Sequence, residues 1–213
     1  MNYHPSLPIF PPNRPIRNRS ILKKIVVFAS GSGSNFQAII DSIEKGDIDA
    51  KISGLIASRS GIGAIERANS HNIPHYVPSV EGSESSFSKL LISKLVEWSP
   101  DLIVLAGYLK KIPSEVIEKY RNRIINIHPS LLPKFGGKGF YGKKVHKAVI
   151  NAGETESGCT VHFVNEHYDK GDIIRQQRVR VSHDDTPESL AQKVLKEEHK
   201  LLPNVIAEIL NKN

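Results

Sequence analysis

Ile25-Val26-Val27-Phe28-Ala29-Ser30-Gly31-Ser32-Gly33-Ser34-Asn35 is the stretch that decides the fold. Five consecutive apolar residues, three of them β-branched, read as a strand buried on both faces. Glycines and serines end it, and residues 35–44 follow with Phe36, Ile39, Ile40 and Ile43 on one helical stripe. A buried strand, a tight glycine turn and an amphipathic helix make the opening of a βαβ unit, which calls for a parallel sheet. The alternation continues outward. Strands are expected near 52–57, 75–77, 102–106, 124–127, 159–164 and 173–181, and helices near 62–69, 85–98, 114–120, 144–152 and 187–210. The last helix should kink at Pro203. In helix 85–98, Phe87, Leu90, Leu91, Leu95 and Trp98 fall at helical spacing and read as core. The fold class is α/β: one domain over residues 23–213, a mostly parallel, Rossmann-like twisted sheet flanked by helices.

A chain of 213 residues suits one domain with a sizeable core. No stretch approaches the roughly 18–20 apolar residues of a membrane span, and prolines interrupt the only region that would serve as a secretory signal. Cys159 is the sole cysteine, which excludes an intrachain disulfide and a cysteine-based zinc site. These features point to a reducing, cytoplasmic home. The net charge of +7 suggests nucleic acid until it is located: Arg14, Arg17, Arg19, Lys23 and Lys24 supply five of those charges, leaving +2 for the remainder. Residues 1–22 also carry Pro5, Pro8, Pro11, Pro12 and Pro15, so they are expected to form a disordered basic arm rather than a helix. The arm is Arg-rich and acid-poor like an organelle transit peptide, but poor in serine and not amphipathic, which favours a plain extension. With a near-neutral body, neither a nucleic-acid nor a membrane partner is expected.

The turn Ser30-Gly31-Ser32-Gly33-Ser34-Asn35 is built for an anion. Two glycines let the backbone approach a ligand, the helix N-terminus supplies free N–H groups, and Ser32, Ser34 and Asn35 add side chains. The larger nucleotide motifs fit poorly. Phe36 stands where a dinucleotide fingerprint wants a third glycine, Ser58-Arg59-Ser60 offers no acid after the second strand, and no Walker lysine is present. A monophosphate, such as a sugar phosphate, fits best.

Ile125-Asn126-Ile127-His128-Pro129 places an amide and an imidazole on one face of a strand, two residues apart. Pro129 keeps His128 extended, so both side chains emerge at the strand's C-terminal end, where open parallel sheets bind ligands. The segment that follows holds Pro129, Pro133, Gly136, Gly137, Gly139 and Gly142 and is expected to be a long, mobile, functional loop over 129–142.

Asn126-Ile127-His128-Pro129-Ser130-Leu131-Leu132-Pro133, with Gly31-Ser32-Gly33-Ser34-Asn35 and Val161-His162-Phe163-Val164, resembles the folate-dependent formyltransferases, and among them the purine-pathway members. The similarity runs from about residue 24 to 210. It implies the formyltransferase fold and transfer of a formyl group from 10-formyltetrahydrofolate, as co-substrate, to the amine of 5-phosphoribosylglycinamide, with no metal. A neutral amine is already a nucleophile, so no attacking Ser or Cys is needed. By this resemblance Asn126 and protonated His128 donate to the oxyanion, and Asp169, in His167-Tyr168-Asp169-Lys170-Gly171, raises the imidazole pKa and helps move the amine proton. Gly33, Ser34, Asn35, Phe36, Gln37 and Glu198 would hold the ribonucleotide. Leu109, Lys110, Lys111, Ile112 and Asn126 would hold the folate. His162 is read as a supporting residue on the Thr160 face, and Cys159 as core on the opposite one.

Two departures bear on the folate. Lys110 and Glu84 stand where some members carry arginine, and an acid at 84 would repel the folate's glutamate tail, leaving Lys110, Lys111 or Lys138 as the counter-charge. The methionyl-tRNA members are disfavoured because the chain ends at its final helix, and the formyl-folate hydrolases because only a short arm precedes the phosphate loop. Sugar-nucleotide formyltransferases are the runner-up, disfavoured by the compact phosphate loop and the His162 motif.

Overall fold

The computed structural model describes residues 22–78 and 83–212; the basic arm expected over 1–22 lies, apart from Leu22, outside the described residues. Among the described residues seven strands and six helices follow one another, alternating as far as β6: β1 Lys23–Ala29, α1 Ser34–Lys45, β2 Ala50–Ala57, α2 Gly63–Ser70, β3 His75–Tyr76, α3 Glu84–Trp98, β4 Leu102–Leu105, α4 Ser114–Lys119, β5 Ile124–His128, α5 Lys143–Asn151, β6 Glu156–Phe163, β7 Ile173–Arg180 and α6 Pro187–Lys212. They form one sheet in the order β3-β2-β1-β4-β5-β6-β7. Strands β1 to β5 pair in parallel, while β6 and β7 run antiparallel.

The period-two pleat of β1 divides the core. Ile25, Val27 and Ala29 face one cluster, with Phe36, Ile39 and Ile40 of α1, Ala64 and Ala68 of α2, and the buried stripe of α6. Val26 and Phe28 face the other, with Leu91 and Leu95 of α3 and Val116 and Ile117 of α4. Both faces of the central strands are therefore covered, which is why those strands read as unbroken apolar runs. The α3 expectation needs one correction. Leu91 and Leu95 are fully buried and Phe87 and Trp98 pack at the margin, but Leu90 is 38% exposed. One helix face against one sheet leaves room for a narrower stripe than the one read from spacing.

The loop after β5 also departs from expectation in its first half. Thr160 Oγ1 donates to the Ser130 carbonyl at 2.6 Å and accepts from the Leu132 N–H at 3.1 Å. Gln176 Nε2 reaches both the Leu132 carbonyl and Thr160 Oγ1 at 2.9 Å. Ser130 is fully buried and Leu132 is 5% exposed. Residues 130–132 are thus anchored to β6 and β7, and the longest exposed run of the loop is 138–144.

Candidate active site

The β1–α1 turn meets the N-terminus of α2. Gly33 caps α1 at φ 76°, and no side chain caps the helix, so its first-turn N–H groups stay open. A Cβ at Gly33 would come within 2.8 Å of Ala64 Cα, so both conformation and space require glycine there. Asn35 is buried, and its Nδ2 donates to Glu198 Oε2 at 2.8 Å. Burial pushes the Glu198 carboxyl up to about 7 against the opposing pull of the Asn35 hydrogen bond. Two of the expected ribonucleotide contacts are spent elsewhere. Phe36 is fully buried in the core. The side chain of Gln37 accepts from Arg67 Nη1 at 2.9 Å and donates to Asp41 Oδ1 at 2.8 Å. Both residues face the turn with their backbones only.

Asn126 and His128 share one face of β5, as the pleat requires, and the antiparallel partner β6 brings His162 opposite Asn126 in register. Asp169 comes from the β6–β7 connection, at φ 55°, a left-handed conformation that Asp tolerates better than most residues. Gly171, two residues on, allows the chain to return against β6: a Cβ there would run into the Phe163 carbonyl oxygen. Asp169 thus lies between two imidazoles, with Oδ2 at 3.5 Å from His128 Nδ1 and Oδ1 at 3.7 Å from His162 Nε2. Its Oδ2 also accepts the Gly137 N–H at 2.8 Å.

The surrounding acceptors assign the ring protons. His128 Nε2–H donates to the Phe135 carbonyl at 2.9 Å, leaving Nδ1 to face the carboxylate. His162 Nδ1–H donates to the Phe163 carbonyl at 2.7 Å, and its Nε2 accepts from Asn126 Nδ2 at 3.1 Å. Burial pushes Asp169 up, but the imidazoles of His162 and His128 and the Gly137 N–H together hold it below its ordinary value. For His128 the expectation of a raised pKa is not met. Burial lowers it, and the opposing effects of Asp169 and the Phe135 carbonyl do not restore the ordinary value. Both ring nitrogens face partners, so direct donation to a substrate oxygen requires the Phe135 bond to be exchanged.

Two cavities open beside Asn126 and Asp169. The larger, about 850 Å³, runs from Ser32, Asn35 and Glu198 past Asn126 and His128 to the projecting loop with Lys138, Tyr141 and Lys144. The smaller, about 80 Å³, lies between Lys110-Lys111-Ile112 and residues 164–168. Tyr108, Asn126, Tyr168 and Asp169 line both. Leu109 is exposed at the larger mouth, while Ile112 is buried against the slot. Lys110 is already engaged: its Nζ donates to the Ser58 carbonyl at 2.6 Å and sits 5.9 Å over the Phe87 ring. Of the three candidate counter-charges for a glutamate tail, Lys111 and Lys138 remain exposed. Cys159 is fully buried as read, and burial first, with the charges of Glu198 and Glu197, pushes its thiol up to about 12.

Three further residues at the site were missed in the sequence. Arg67 reaches the β1–α1 turn from α2. The Tyr108 hydroxyl is buried without a partner between the cavities, its pKa raised by burial. His146 of α5 lines the larger cavity with Nδ1 unpaired, and burial, then the charge of His128, lowers it to about 4. Spacing on α2 and α5 places Arg67 and His146 on helices but says nothing of what those helices lean against.

Residues 23–206 match the family described as formyl transferase. The chain belongs to the formyl transferase family. Within that family it is 47% identical over 190 residues to "phosphoribosylglycinamide formyltransferase, chloroplastic" of Arabidopsis thaliana, covering 88% of this chain. The chain spans 65% of that relative's length and 60% of its counterpart in Vigna unguiculata. The Bacillus subtilis phosphoribosylglycinamide formyltransferase is 38% identical, with 90% of this chain and 97% of that protein covered. Among solved formyl transferases, glycinamide ribonucleotide transformylase 1 of Geobacillus kaustophilus superposes with a TM-score of 0.83 at 38% identity, over 89% of this chain and 99% of that one. The α/β sheet with helices on both faces is therefore the family's fold.

Proposed function

We propose that this chain transfers the formyl group of 10-formyltetrahydrofolate to the amine of 5-phosphoribosylglycinamide, the acceptor that the names of its relatives carry. One observation carries the reading: two cavities, one ending at an anion-binding turn and the other a narrow slot, share Asn126 and Asp169 as a common wall. A group passing between substrates seated in the two would cross that wall.

The larger cavity takes the ribonucleotide, its phosphate on the backbone N–H groups of Gly33, Ser34 and Asn35 and its ribose hydroxyls toward Glu198. The slot takes the flat pterin of the folate. Its walls of Leu105, Ile112 and Val164 are apolar, and the backbone of 110–112 and 165–168 supplies polar groups for ring edges, so the residues present fit such a ligand. Lys111 and Lys138 are the counter-charges for the glutamate tail.

In this mechanism Asn126 turns its amide from His162 Nε2 toward the formyl oxygen as the amine adds and the oxygen becomes negative. His128 exchanges the Phe135 carbonyl for the same oxygen and, when protonated, contributes positive charge. Asp169, held ionised by its two imidazoles and Gly137, receives the amine proton directly or through water and passes it to the folate nitrogen that leaves. The new N–C bond and the broken one then balance with no other reactant. His162 holds Asn126 and Asp169 in place. The cytoplasm remains the proposed compartment, and imaging the full chain with a C-terminal fluorescent fusion checks it against the chloroplast named for two relatives.

The test mixes the purified full chain with 10-formyltetrahydrofolate and either 5-phosphoribosylglycinamide or an amino-sugar nucleotide. Deformylated folate is expected with the first acceptor alone. Release with the sugar nucleotide, with water alone, or with neither acceptor overturns the assignment.

A further inference from the structure

The phosphate turn has a back wall that holds its peptide planes in place. The Gly31 carbonyl accepts the Ala64 N–H at 3.1 Å, and the Ser32 carbonyl accepts Arg67 Nε–H at 2.9 Å. In a trans peptide the C=O and the following N–H point in opposite directions. Fixing these two carbonyls against α2 therefore aims the N–H groups of Ser32 and Gly33 away from α2, on the side from which a ligand arrives. Arg67 Nη1 also binds Gln37 Oε1 in the first turn of α1, so one guanidinium clamps the turn and the helix that follows it. Gln37 in turn is braced by Asp41 and by His71, which is paired with Glu44. Packing closes the arrangement: a Cβ at Gly33 would lie 3.3 Å from Arg67 Cδ as well as against Ala64.

We infer that Arg67 is the positioning residue of the anion cradle, setting the direction of its N–H groups and adding a fixed positive charge behind them, so that it governs preference for a phosphorylated acceptor. This rests on the ribonucleotide reading above. The planar fork matters as much as the charge, because one guanidinium satisfies two acceptors at once. The residue sits behind the turn, across the Ser32 carbonyl from the ligand side, so it acts on binding of the phosphate and not on the reacting amine.

The experiment compares kcat/KM for 5-phosphoribosylglycinamide with that for the same glycinamide riboside lacking phosphate, in the wild type, Arg67→Gln and Arg67→Lys. Arg67→Gln is expected to reduce the ratio about tenfold or more, the scale of one charge-assisted hydrogen bond, with kcat and the KM for 10-formyltetrahydrofolate within about twofold of the wild type. Arg67→Lys keeps the charge but spans only one of the two acceptors, and should reduce the ratio about threefold or more. It carries the test alone if Arg67→Gln does not fold. A wild type that strongly prefers the phosphorylated acceptor, with that preference intact in the folded variants, overturns the inference alone. Equal losses for both acceptors, or for the folate, also overturn it. A wild type indifferent to the phosphate overturns the proposed function and this inference together.

Discussion

The Nδ1 of His128 and the Oδ2 of Asp169 face each other at 3.5 Å, with side chains 5% and 11% exposed. Burial lowers the pKa of this imidazole and the carboxylate raises it, and burial is the larger of the two. Asp169→Asn removes the opposing charge, so the His128 midpoint should move lower still, as followed by NMR titration of its ring proton. Turnover should fall by about 10²-fold or more, since general acid–base groups act on that scale. An unchanged midpoint would mean that the two side chains are uncoupled in solution.

Asn126 is the donor closest to release, since a single hydrogen bond, to His162 Nε2 at 3.1 Å, engages its amide nitrogen. Asn126→Ala should lower kcat by about 10²–10³-fold, the cost of one oxyanion donor, with both KM values little altered. Steady-state kinetics on both substrates read this directly, and a rise in KM at constant kcat would assign Asn126 to ground-state binding instead.

Glu198 is destabilising when charged. Its carboxyl ionises near 4.5 in an unfolded chain and at about 7 in the fold. Below the first value both states are protonated; between the two only the folded state keeps its proton. Folding stability from this group is therefore full below about 4.5 and is lost as pH rises through about 7. Glu198→Gln keeps an acceptor for Asn35 and does not titrate, so its stability relative to the wild type should grow across that window, by up to about 3 kcal/mol. Thermal unfolding at pH 5 and pH 8 compares the two, and a constant difference would refute the raised pKa.

Thr160→Val nearly preserves shape and removes one hydroxyl that serves three partners, Ser130, Leu132 and Gln176. Leaving buried polar groups unpaired costs about 1–3 kcal/mol each. The variant should lose about 2–4 kcal/mol of stability by urea unfolding, and limited proteolysis should cut the freed 130–137 segment. A loss under about 0.5 kcal/mol would mean that the loop is held by other means.

How much of this was written in the sequence depends on whether a residue's partner lies on its own element. The β1–α1 turn and the Asn126–His128 pair were legible because strand period and glycine placement are local properties. Asp169 and Glu198 come only through family resemblance: each looks like an ordinary turn or helix residue until His128, 41 residues away (169 − 128), or Asn35, 163 residues away, is set beside it. Arg67 and Tyr108 carried no local sign at all, since their meaning comes from what packs against them. The resemblance assigns Gln37 and Lys110 to ligands, but nearby protein groups claim their polar ends. The expected rise in the His128 pKa failed for a related reason. Spacing reveals a neighbouring carboxylate but not the depth of burial.

Glu198 stands on α6, the last described element, and lines one chamber with Ser32 and Asn35 of the β1–α1 turn. A ribosome making this chain releases the β1–α1 turn well before the residue that closes the chamber over it. The pocket therefore cannot exist on a nascent chain short of α6, whatever part of the sheet has already formed. Assembly of the chamber waits on α6, and contacts of such long sequence separation are the slow ones to make.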